Sequence, residues 1–226
     1  PAAPPSQAAP AADPTPTVPV TVQRAKELAS VFDSHDYTLA DIRSGEKPVP
    51  ALALTRLPQD LGQMPEVETR KMLFIQALLP IVLQVNESIM ADRERLTWLR
   101  DAIRQDRPIA PDDQNWLDSL ADRYGTNDAT QDDLEELLRR VDVVPPSLAI
   151  AQAITESGWG TSYPARVGNA LFGQFHFAVR GGKTAVGGQA GAFQIRAYDS
   201  LSESVDAYAL NLNTHPAYRA FRDQRA

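Results

Sequence analysis

A single carboxylic acid, Glu156, closes the apolar run Pro145-Pro146-Ser147-Leu148-Ala149-Ile150-Ala151-Gln152-Ala153-Ile154-Thr155 and is followed at once by Ser157-Gly158-Trp159-Gly160. Paired prolines fix φ for a first helical turn, the Ala/Ile/Leu run continues it, and Gly158 can take the left-handed turn that stops it. Glu156 then falls in the last turn. A helix C-terminus carries partial negative charge and disfavours an added anion, more so if Ile154, Trp159 and Phe172 withdraw the carboxyl from water. The spacing therefore predicts a carboxyl group held toward its acid form at the edge of a cleft, as a general acid requires. The competing reading is a surface glutamate at a frayed helix end.

The chain continues at short range with Gly168-Asn169-Ala170-Leu171-Phe172-Gly173. Ala-Gln-Ala-Ile-Thr-Glu-Ser-Gly-Trp-Gly over 151–160, followed by this segment, resembles the catalytic core of the flagellar-muramidase-type glucosaminidases, glycoside hydrolase family 73, and within it the Bax-like branch. The resemblance extends back through Arg70-Lys71-Met72-Leu73-Phe74 and Leu78-Leu79-Pro80, where core packing is the expected role. It implies a lysozyme-like α+β fold, peptidoglycan glycan strands as the partner, and hydrolysis of the β-1,4 bond after N-acetylglucosamine with Glu156 as proton donor. Trp159, Asn169, Phe172, Gln174 and Phe175 are the candidate sugar contacts, because aromatic faces stack on pyranose rings and amides can hold acetamido groups; packing is the rival role for Phe172. His176 could orient a water, against a structural role.

Two departures from the family pattern stand out. Glycoside hydrolysis usually needs a second carboxyl group across the scissile bond, yet no acidic residue lies between Ser157 and Tyr198; the next are Asp199, Glu203 and Asp206. A water held by neutral groups, the substrate's own acetamido group, or loss of activity are the alternatives. Family members also continue beyond the Tyr-x-x-x-Arg segment, here Tyr218 to Arg222, into a helix preceded by a catalytic tyrosine, whereas only four residues follow Arg222. Either the chain is truncated or Tyr208 or Tyr218 lines the cleft, with packing the simpler role for both. A lytic transglycosylase, which works with one Glu, and a non-catalytic peptidoglycan-binding module are the rival functions.

At 226 residues with 43% hydrophobic content, the chain can bury a proper core. It has no cysteine, and its histidines, His35, His176 and His215, show no ligand spacing, so neither metal nor cofactor is expected. The net charge of −7 is uneven: residues 1–156 carry 25 acids and 15 bases, residues 157–226 carry 4 acids and 7 bases. Arg166, Arg180, Lys183 and Arg196 form a basic stretch suited to an anionic polymer or simply to solvent, without the density of a nucleic-acid site. The start at Pro1-Ala2-Ala3, with no Met, predicts a removed signal peptide or a membrane anchor; the resemblance implies a periplasmic or cell-envelope location, free or tethered to the inner membrane, and a monomer is expected. The longest apolar run, Met72 to Val85, is broken by Gln76, Pro80 and Gln84 and reads as too short and polar to span a bilayer.

Three regions follow. Residues 1–19 read as a Pro/Ala-rich disordered tether, 20–142 as a helical N-terminal region, and 143–226 as the glucosaminidase core, C-terminally incomplete if the family pattern holds. Helical spacing predicts helices over 20–32, 66–103, 112–124 and 128–140, with Pro80 kinking or dividing the second and Trp116 facing inward. Residues 33–65 read as loops with a short strand near 49–54. Glycines at 181–191 read as a mobile loop or hairpin turn and the alternation over 193–198 as a strand, a segment that the resemblance implies is a small β-lobe facing the catalytic helix. Ser200-Leu201-Ser202-Glu203 is a capping box opening a helix to about Leu212, and Pro216 begins one more turn.

Overall fold

A computed structural model describes residues 15–126, 131–176 and 194–225. In chain order they form β1 (Val18–Val20), α1 (Ala25–Ser34), α2 (Leu39–Ser44), β2 (Leu52–Leu54), α3 (Val67–Arg104), α4 (Pro111–Tyr124), α5 (Gln131–Arg140), α6 (Pro146–Ser157), α7 (Tyr163–Gly168), β3 (Phe175–His176), β4 (Gln194–Ile195), α8 (Leu201–Thr214) and α9 (Arg219–Arg225). The chain is mainly α with small two-stranded pairings, consistent with a lysozyme-like α+β fold. Its described residues divide into two compact units with interleaved segments, 15–85 with 145–208 and 86–144 with 209–225.

In the first unit β1 and β2 pair in parallel, Val18 opposite Leu52 and Val20 opposite Leu54. A parallel pair needs a crossover, which α1 and α2 supply. Because buried Val20 is drawn into this pairing, α1 starts at Ala25 rather than at residue 20, and Val18 and Pro19 are strand residues. Asp60 accepts from the Ala25 N–H at 2.7 Å and Glu27 from the N–H groups of Gln23 and Arg24 at 2.9 and 3.1 Å, so the orphan donors at the start of α1 are met. The α2 helix corrects the loop expected over 33–65. Thr38 Oγ1 accepts from Asp41 N–H at 3.2 Å and Gly45 (φ +74°) takes the left-handed stop, a cap pair masked by the surrounding prolines.

The α3 helix runs unbroken through Pro80. Losing one backbone donor and accommodating the ring costs about 3 kcal/mol, but Leu78, Ile81 and Val82 beside it are almost wholly buried. Each such side chain contributes about 1.5–3 kcal/mol, enough to hold the helix together. By length and composition α3 is apolar enough to cross a bilayer, which corrects the expectation drawn from residues 72–85. Of the 18-residue stretch of α3 that meets this test, 56% is buried inside the protein, as in a core helix.

The second unit packs Leu96, Leu99, Leu117, Tyr124, Leu134, Leu137 and Val141, all at most 1% exposed. Pro111 opens α4 and Gly125 (φ +65°) closes it, as the spacing predicts. Trp116 is half-buried rather than inward, with the Arg95 guanidinium 4.4 Å from its ring centre while Arg95 pairs with buried Asp113 at 2.7 Å. Arg225 bonds the carbonyl of Val143 at 2.8 Å and the carboxylate of Asp142 at 3.2 Å; Arg222 donates to the carbonyls of Leu212 and His215, both at 3.0 Å. Asn86 reads both backbone groups of Val144, donating to its oxygen at 2.8 Å and accepting from its N–H at 3.0 Å. Val144 is buried, so Asn86→Ala leaves both groups unpaired and is expected to cost about 2 kcal/mol. Thermal unfolding would register this as a drop of about 4–8 °C; an unchanged midpoint would mean that water replaces the amide.

Candidate active site

The end of α6 is built from an unusual backbone. Gly158, Trp159 and Gly160 are consecutive left-handed residues, with φ of +56°, +60° and +72°. Left-handed φ is strained for a tryptophan, and its neighbours hold it there. Ser157, 0% exposed, donates to the Ala153 carbonyl at 2.5 Å and accepts from the Gly160 N–H at 2.8 Å, tying the helix end to the turn. Gly160 is pressed against Leu57 and Phe74 so closely that a Cβ there would lie 2.4 Å from Leu57 Cδ1. The turn delivers Trp159 edge-on to Phe74, ring centres 6.0 Å apart, with Lys71 Nζ 5.6 Å from the indole centre. Trp159 is half-buried and lines an open groove of about 710 Å³ with Tyr37, Met72 and Gln76.

Glu156 is in the last turn of α6, as expected, but its side chain is exposed. The expected desolvation is absent because Trp159 turns toward Phe74 and Phe172 stacks on Tyr208. Among the described residues the carboxylate has no hydrogen bond or ion pair. Its near neighbour is Gly173 (φ +58°), where a Cβ would lie 3.0 Å from Glu156 Oε2. A bare backbone there leaves room for the carboxyl group, and glycine alone takes this φ without strain. Gly173→Ala is expected to displace the carboxylate, lowering any glycan turnover by roughly tenfold or more, with a stability loss of about 1 kcal/mol from the left-handed φ. Initial rates beside a melting curve check this; a full rate with an altered melting point would dismiss the spacing argument.

The remaining predicted residues fare differently. Asn169 is 0% exposed, takes φ +51° at the end of α7 and donates to the Tyr198 carbonyl at 3.1 Å, so it closes a turn rather than facing a sugar. Phe172 and Tyr208 are buried and stacked, ring centres 4.0 Å apart and planes within 8°, which places both in packing. Gln174 spends its amide inside the protein, donating to the Ala207 carbonyl at 3.1 Å and accepting from the Tyr198 hydroxyl. Tyr218 packs edge-on against His215 in the other unit. Phe175 and His176 form β3 with β4, Phe175 opposite Ile195, but their side chains lie outside the described residues, as do the glycine-rich part of the β-lobe, Arg180 and Lys183. Of the predicted aromatics with described side chains, Trp159 is half-buried and Tyr218 is exposed, while Phe172 and Tyr208 are buried.

Two contributors were missed by sequence reasoning. Gly173 could have been found from its place beside Phe172 in a segment already tied to Glu156; Tyr198, at the end of an alternating stretch, carries no local signal. Glu203 accepts from Asp199 N–H at 3.0 Å while Ser200 Oγ accepts from Glu203 N–H at 3.1 Å, so Glu203 caps α8.

Residues 131–226 match the glucosaminidase family, described as mannosyl-glycoprotein endo-beta-N-acetylglucosaminidase. Over these residues the chain is similar to that family, which is one of glycoside hydrolases. Over 170 residues the chain is 36% identical to Protein bax of Escherichia coli (strain K12), an alignment taking in 74% of this chain and 59% of that relative. The chain thus spans about three-fifths of the length of the curated relative it matches. No solved structure gives a significant match.

Proposed function

We propose that the chain is a peptidoglycan hydrolase, an endo-β-N-acetylglucosaminidase cleaving the β-1,4 bond after N-acetylglucosamine. The observation that carries this reading is an exposed, untied Glu156 facing the bare backbone of Gly173, inside a segment of the glucosaminidase family. In the protonated form Glu156 gives its proton to the glycosidic oxygen as the bond to the anomeric carbon breaks. Water then adds to that carbon and returns a proton. No acid between residues 157 and 198 can activate the water, so neutral groups or the substrate's acetamido oxygen assist it. The accessible face of Trp159 is the proposed sugar platform.

Residues 1–19 act in this reading as a tether, 20–142 as a helical support and 143–226 as the glycosidase core, in a monomer working in the periplasm or cell envelope. The missing second acid favours one alternative, a lytic transglycosylase, in which the substrate's own hydroxyl closes an anhydro ring. Digesting purified peptidoglycan with this chain and with its Glu156→Gln variant, reducing the products with borohydride and weighing them, separates the cases. Reduced N-acetylglucosamine ends that vanish in the variant are the expected result. Anhydro ends would replace hydrolysis by transglycosylation, and glycan binding without release by either protein would reduce the chain to a binding module.

A further inference from the structure

Gln174 follows the glycine that faces Glu156, and its side-chain amide and backbone carbonyl are engaged within the protein. Its Oε1 accepts the Tyr198 hydroxyl, its Nε2 donates to the Ala207 carbonyl at 3.1 Å, and its backbone carbonyl accepts the Arg196 N–H at 3.0 Å. Tyr198 is held at both ends of its backbone. Its N–H donates to the Gly168 carbonyl at 2.8 Å, and its carbonyl accepts Asn169 Nδ2 at 3.1 Å. Ser204 Oγ accepts the Leu171 N–H at 3.3 Å. These bonds join residues 168–174 to residues 196–207, and residue 173 is where the joined strip meets the carboxylate. The Tyr198 phenol is buried, and this desolvation pushes it up to about 12 against the smaller opposing effect of Arg196, so it is a hydroxyl donor at neutral pH.

We infer that Tyr198 is a positioning residue: by donating to Gln174 it holds the Gly173 backbone against Glu156 and so fixes where the carboxyl group stands. The inference rests on Glu156 being the proton donor proposed above. An exposed carboxylate with no bonded partner among the described residues keeps its rotamer freedom unless something bounds it. Gly173 supplies that boundary, and a boundary made of backbone is only as fixed as the bonds behind it. Proton donation needs the acid at hydrogen-bond distance from the glycosidic oxygen, about 2.6–3.2 Å, where small displacements cost large factors in rate. Tyr198 therefore acts on the reaction through Gln174 and touches no substrate.

Tyr198→Phe removes one oxygen and keeps the ring. Gln174→Leu removes the other end of the bond, and the double variant closes a cycle. The four proteins are compared for kcat and KM on purified peptidoglycan, and for the amide chemical shifts of Gly173 and Gln174. The expected result is a kcat lowered roughly tenfold by either substitution, a KM within about twofold, no further loss in the double variant, and shifted Gly173 signals. A wild-type protein that turns over glycan while Tyr198→Phe matches it in kcat overturns the inference and leaves the glycosidase reading standing. Losses that multiply in the double variant overturn it too, because the two residues then act separately. A wild-type protein without turnover overturns the reading of Glu156 and this inference with it.

Discussion

Glu156→Gln is expected to lower the initial rate of glycan cleavage by about 10³-fold and to leave the melting temperature within about 1 °C of the parent chain. The rate factor is that of removing a positioned general acid, typically 10²–10⁴-fold. The stability figure follows from the site: the side chain is exposed and makes no hydrogen bond or ion pair among the described residues, and substitutions at such surface positions usually stay within about 0.5 kcal/mol. An amide is nearly the same size as the carboxyl, so the approach to Gly173 survives. The pairing of a large kinetic effect with a negligible stability effect is the diagnostic feature. Release of reducing ends from peptidoglycan, with unfolding followed by circular dichroism, measures both. A variant retaining more than a tenth of the parent rate would remove Glu156 from the chemistry and return it to the status of a surface residue at a helix end.

The largest stability effect is expected at Gly160. A Cβ there would stand 2.4 Å from Leu57 Cδ1 and 2.9 Å from Phe74 Cε2, and both side chains are buried. Forcing an extra methyl into such packing costs about 1–3 kcal/mol. The left-handed φ adds about 1–2 kcal/mol, offset by the roughly 0.4–1 kcal/mol that alanine gains through a less flexible unfolded chain. Gly160→Ala should therefore lose about 2–4 kcal/mol, or roughly 5–15 °C in melting temperature for a chain of this size. Gly45→Ala is the matched control: its φ is +74°, but nothing lies within 4 Å of the added carbon, so only the backbone cost applies. If the two variants melt together, the close approach of residue 160 to Leu57 and Phe74 is relieved without cost. A difference of several degrees isolates the packing that anchors Trp159.

These positions also separate what was legible in the chain from what was not. Pro146 inside the first turn of α6, Gly158 after it and Glu156 in its last turn follow from local rules, since a cap, a stop and a 3.6-residue period are encoded by neighbours in sequence. For the same reason α4 closes at Gly125 and α8 opens on the Ser200 and Glu203 pair. The strand at Val18–Val20 escaped because its partner, Leu52–Leu54, lies thirty residues on, beyond any local pattern. The unbroken α3 escaped because the burial of Leu78, Ile81 and Val82, which offsets Pro80, comes from other elements.

At the site, residue types announced the chemistry but not the division of labour. Asn169, Phe172, Gln174 and Tyr208 have side chains equally suited to a sugar or to a core, and sequence contains nothing that decides between them. In the folded chain Asn169 and Gln174 have amide donors bonded within the protein, and Phe172 and Tyr208 lie face to face and buried. Tertiary structure also sets Trp159 edge-on to Phe74 through three left-handed residues and folds Gly173 back against the carboxylate. Spacing along one helix sets which residue stands at its end. What surrounds that residue depends on contacts between segments far apart in the chain, and those exist only once the chain has folded.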